Sequence, residues 1–78
     1  MTNLEKYNNA FIETFEISLE KLDELKYQNI EAWDSIGHMS LIAVIEDAFG
    51  ITLDTDDIIE MSSYKIGKEI LAKYDITF

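Results

Sequence analysis

Residues 33–50 read WDSIGHMSLIAVIEDAFG, and this stretch decides the fold. Asp34 and Ser35 stand before Ile36, Met39, Leu41, Ile42, Ala43, Val44, Ile45, Ala48 and Phe49, and Gly50 follows where a left-handed C-cap belongs. The spacing predicts a helix over 35–49. Its apolar residues are too many for a single stripe. Leu41, Ile42, Ile45, Ala48 and Phe49 can share an inward face, which leaves Ile36, Met39 and Ala43 on a neighbouring face beside Ser35.

Upstream, Thr2 and Glu5 have the spacing of a capping box, in which each side chain satisfies a backbone N–H of the other residue. Leu4, Tyr7, Phe11 and Phe15 then recur at three- and four-residue steps, predicting an amphipathic helix over 3–16. From Ile17 to Ala32 the apolar residues Ile17, Leu19, Leu22, Leu25, Tyr27 and Ile30 fall too irregularly for one helical stripe. A long loop pinned by these anchors is expected there, with room for a turn or two between Ser18 and Leu25. Downstream, Asp54 or Thr55 can cap a helix of about two turns carrying Ile58, Ile59 and Met61. Ser62 and Ser63 offer a cap for a last helix with Ile66, Ile70, Leu71 and Tyr74 on one face, ending at Lys73. No strand alternation, repeat or low-complexity segment is present. The expected fold is all-α: a small antiparallel four-helix bundle with three longer helices, one short third helix, and a long loop between the first two.

A chain of 78 residues makes one domain, 1–78, because so short a chain buries only about 60% of its unfolded surface and cannot divide its core. An apolar fraction of 47%, with four Phe, four Tyr and one Trp, is too rich for a disordered chain. The absence of Cys excludes disulfides, thiolate metal sites and cysteine catalysis. No apolar run approaches the roughly 18 residues that span a bilayer, and no signal-peptide pattern opens the sequence, so a cytoplasmic monomer without a membrane span is expected. Sixteen acidic residues against six lysines give a net charge of −10, which repels phosphate backbones and argues against nucleic-acid partners. The same acidity serves solubility, or steers the chain toward basic partner surfaces.

Taken alone, Ser35 reads as an N-cap. It also places an exposed hydroxyl at the positive end of a helix dipole, a suitable point for a phosphate-linked modification. Asp34, Ser35 and His38 supply the three residue types of a hydrolase triad, yet no oxyanion loop or substrate cleft is visible and nothing obvious orients the imidazole, so an enzyme is not expected. The run Asp54-Thr55-Asp56-Asp57 hints at a calcium loop, but Ile59 and Lys65 occupy the positions where that loop needs Gly and Glu, and no metal site is predicted. Trp33 reads as a core residue anchoring the loop before Ser35.

Asp34-Ser35-Ile36, followed by Met39, Leu41, Ile45, Glu46, Asp47 and Phe49-Gly50-Ile51, resembles the attachment motif of the acyl carrier proteins. The likeness covers nearly the whole chain in length, acidity and helix order. The fuller string from Trp33 to Met39 resembles a branch of free-standing bacterial carriers. The resemblance implies that Ser35 bears 4′-phosphopantetheine through a phosphodiester, transferred from coenzyme A by a phosphopantetheinyl transferase. The arm's thiol would then hold acyl groups as thioesters, supplying the thiol that this Cys-free chain lacks. It further implies that Asp34 engages the modifying enzyme and that Ile36, Met39 and Ala43 form an apolar strip for partners. Glu46, Asp47, Asp54, Asp56, Asp57 and Glu60 would form an acidic rim for acyl-loading and acyl-transferring enzymes with basic docking surfaces. His38 would pack near the helix start or meet the arm. The aliphatic core with Ala43 and Ala48 gaps suggests interior space for an acyl chain, each buried methylene contributing about 0.8 kcal/mol. Many fatty-acid carriers place acidic residues where this chain has Gly37 and Ser40, a departure that argues against the usual fatty-acid synthase partners; within the family the cargo ranges from fatty acyl to specialised acyl or aminoacyl groups. The alternative in another class is an unmodified acidic helical module for protein interaction.

Overall fold

A computed structural model describes residues 1–78, and the chain is all-helical. Its elements are α1 (Asn3–Phe15), a 3-10 helix (Leu19–Glu24), α2 (Ser35–Phe49), α3 (Thr55–Glu60) and α4 (Tyr64–Ala72). The capping box at Thr2 and Glu5 forms as the sequence predicts: Glu5 N–H donates to the Thr2 hydroxyl and Thr2 N–H to the Glu5 carboxylate. Gly50 closes α2 in the left-handed conformation, and the Ser63 hydroxyl accepts from Ile66 N–H at the start of α4. Asp54 occupies the N-cap position of α3 without a side-chain bond.

The core collects Tyr7, Phe11 and Phe15 from α1, Leu41, Ile42 and Ile45 from α2, and Tyr64, Ile70 and Leu71 from α4. Three expectations for the stripes need correction. Leu4 is exposed, because the packed face of α1 begins a turn later at Tyr7; Ile66 is exposed, its place on α4 taken by Tyr64 and Gly67; and Ala48 and Phe49 are only half-buried. Gly67 is required by proximity: a Cβ there would lie 2.1 Å from the Tyr7 hydroxyl, which donates to the Tyr64 carbonyl at 2.6 Å. Burial holds that phenol well above its usual range, so it stays a donor.

The connection between α1 and α2 is less irregular than its spacing suggests. The 3-10 helix packs against α1 and α4, with Leu22 and Leu25 buried and Leu19 left exposed rather than serving as an anchor. A single antiparallel bridge then ties the chain to the start of α4: Tyr27 N–H donates to Ser62 O at 2.8 Å and Tyr64 N–H to Leu25 O at 3.0 Å. Trp33, fully buried against Phe11 and Phe15, ends the connection as the expected anchor.

Asp57 corrects the acidic-rim expectation. It is buried, and its carboxylate accepts from the Lys73 ammonium and from the Tyr74 hydroxyl. These bonds bind α3 to the end of α4 and occupy both carboxylate oxygens of Asp57, so it is an internal tie and not a free charge of the rim. Hydrogen bonding from Lys73 and then Tyr74 holds the Asp57 carboxyl below its usual value of 3.8. The resulting stabilisation is present above about pH 4 and is lost as pH falls through the depressed folded-state value. Asp57→Asn should therefore lower the thermal midpoint at neutral pH and lose less on further acidification than the parent, in a pH series followed by circular dichroism.

Candidate functional site

The start of α2 is set by Asp34, whose Oδ1 accepts from Gly37 N–H at 2.8 Å. Asp34, not Ser35, is thus the N-cap, correcting the simplest reading of the serine. Ser35 becomes the first helical residue, exposed and free of capping duty. Its Oγ lies 3.4 Å from the Tyr27 hydroxyl, a residue that the sequence identifies only as a loop anchor. Gly37 faces inward, where its own lack of a side chain lets the Ala32–Trp33 backbone pass close beneath α2.

His38 sits one turn beyond Ser35 with both ring nitrogens engaged. Nδ1 accepts from the Trp33 indole N–H at 3.0 Å, so Nε2 carries the proton and donates to the Ile58 carbonyl at 2.7 Å. No imidazole nitrogen is left to accept the Ser35 proton, which removes the base that a triad at this position needs. The ring lies edge to edge and nearly coplanar with the Trp33 indole across that bond and is met by Tyr27 at a steep angle, so its orientation is fixed from two sides.

Ser35 stands on the lip of a groove of about 380 Å³ between α2 and α3. Tyr27, His38, Met39, Ile58, Ile59 and Met61 supply most of its lining, and no charged carboxylate or ammonium faces into it. Ile36, Met39 and Ile59 are 79%, 54% and 72% exposed, an apolar patch around the serine. Ile59 completes this patch, and no local pattern marks it in the sequence, since the adjacent apolar pairs Leu41–Ile42 and Ile70–Leu71 are both buried. Ala43, Asp47, Asp54, Asp56 and Glu60 are exposed as expected. Glu46 is half-buried and accepts from Leu53 N–H at 2.8 Å, so it holds the α2–α3 connection instead of standing free on a rim.

The interior space expected from Ala43 and Ala48 is not formed. Ala43 faces solvent, and the three cavities of the chain open at its surface. The acidic residues around α3 bring together no group of side chains spaced to hold a metal ion, and no helix is long and apolar enough to cross a membrane. Comparison of the chain with protein-family models, curated proteins and solved structures finds no match.

Proposed function

We propose that the chain is an acyl carrier protein, bearing 4′-phosphopantetheine on Ser35 and delivering acyl thioesters between enzymes. The observation that carries this reading is the Ser35 hydroxyl itself: exposed on the first turn of α2, relieved of capping by Asp34, and set at the edge of an open apolar groove. The four α-helices are on this reading the antiparallel bundle of a carrier domain, with α3 shortened to six residues. The groove fits a flexible neutral arm, because its walls are apolar and its hydroxyls, from Tyr27 and Ser62, suit amide groups.

In the attachment step the Ser35 Oγ would pass its proton to a base of the transferase and bond to the pantetheine-side phosphorus of coenzyme A, as the bond from that phosphorus to the bridging oxygen breaks and adenosine 3′,5′-bisphosphate leaves. The group supplies a terminal thiol on which acyl cargo is held as a thioester. The protein's residues do the rest: α2 presents the hydroxyl, Ile36, Met39 and Ile59 give partners an apolar hold, and Asp47, Asp56 and Glu60 draw basic surfaces toward it. Exposed charge pairs contribute only about 0.2–1 kcal/mol each, which gives the weak, salt-sensitive contacts a shuttle needs. The protein is expected to be a cytoplasmic monomer.

Incubation with coenzyme A and a broad-specificity phosphopantetheinyl transferase, followed by intact mass, tests the proposal. The expected result is a gain of one phosphopantetheine in the parent and none in Ser35→Ala. No gain, or an equal gain in the variant, would favour the unmodified interaction module instead.

A further inference from the structure

Helix α3 has six residues, too few to be stable by its own hydrogen bonds, and its position must be imposed from outside. One end of the constraint is Asp57, held by Lys73 and Tyr74 of the α4 end. The other is the Ile58 carbonyl. Its intrahelical partner would lie at residue 62, beyond the end of α3 at Glu60, and the Nε2–H of His38 takes that place at 2.7 Å. His38 in turn is held by the buried Trp33, whose indole N–H fixes the tautomer that makes Nε2 a donor.

We infer that His38 is a positioning residue that clamps α3 to α2 and so holds Ile58 and Ile59, the far wall of the groove, in register with Ser35. The chain of contact runs from core to surface: Trp33, His38, Ile58, then the exposed Ile59. Without the clamp, α3 keeps its Asp57 tether and the Glu46–Leu53 bond of the connection before it, but its Ile58 end loses its direct hydrogen bond to α2, and the wall of the groove is held less closely in register with the serine. Enzymes that must read Ser35, Met39 and Ile59 together then meet a surface of variable shape. The effect on partners rests on the carrier reading; the clamp does not.

Three readouts test it. In the parent, nitrogen-15 spectra of the His38 ring should give a protonated Nε2 and an unprotonated Nδ1; the opposite tautomer, or rapid averaging of both, would overturn the clamp. In His38→Ala, amide exchange at residues 58–61 should accelerate roughly fivefold to tenfold more than in α1 and α4, the size expected for one lost hydrogen bond. Equal acceleration everywhere, or none at 58–61, would sink the idea. Should His38→Ala fail to fold, Trp33→Phe keeps a ring but removes the indole donor that orients the imidazole, and there amide exchange at 58–61 that accelerates more than in α1 and α4 supports the clamp while an unchanged ratio refutes it. With a phosphopantetheinyl transferase, His38→Ala should raise KM with a smaller change in kcat; an unchanged KM contradicts the effect on partners. If the parent accepts no phosphopantetheine at all, the carrier reading falls, while the ring and exchange measurements still decide the clamp.

Discussion

Trp33→Ala should leave the domain largely unfolded at room temperature. The indole is fully buried, stacked on Phe15 and met edge-on by Phe11, and it anchors the last turn of the connection into α2. Removing so large a buried aromatic costs about 3–5 kcal/mol. The variant also leaves His38 Nδ1 without its donor. A small domain has total stability toward the low end of about 5–15 kcal/mol, so the two losses together match or exceed it. Far-UV circular dichroism during urea titration checks this without relying on the fluorescence of the mutated residue. A midpoint within error of the parent would show that Trp33 does not anchor the fold.

Gly37→Ala should destabilise the protein by about 1–3 kcal/mol and slow attachment at Ser35. The sign carries the information. In an open helical position, exchanging Gly for Ala adds roughly 1 kcal/mol of stability, because the residue gains helix propensity. Here the new Cβ would stand 1.9 Å from the Ala32 carbonyl oxygen and 3.2 Å from the Phe15 ring, and the first obstacle is backbone that cannot rotate away. The Ala32–Trp33 segment must retreat, carrying the Asp34 cap with it. The same crowding gives a physical reason for the missing acid at this position: any side chain longer than hydrogen enters the loop beneath α2. Stabilisation of Gly37→Ala in a denaturant titration would contradict this geometry.

The helices were legible where local chemistry marks their ends. The capping box of Thr2 and Glu5, the cap before α2 and Gly50 after it are short-range signals, and they placed α1 and α2 to within a residue. What escaped depends on partners distant in sequence. Asp57 looks like any member of an acidic run, and only the fold brings Lys73 and Tyr74, 16 and 17 residues on, against it. The bridge between Lys26 and Ser63 and the packing of the 3-10 helix are equally non-local. At the candidate site, Ser35 and its apolar neighbours Ile36 and Met39 were visible as a polar residue beside a surplus apolar face. The role of His38 was not, because its acceptor is a backbone carbonyl, which any residue at position 58 would supply.

The central claim is that Ser35 is an attachment point. Tandem mass spectrometry of the protein purified from its own cells, resolving the peptide that contains Ser35, tests it most directly. The account predicts phosphopantetheine linked through a phosphodiester to Ser35 on a substantial share of the molecules, with any acyl thioester at its far end. Finding Ser35 unmodified throughout, or the group on another residue, would contradict it.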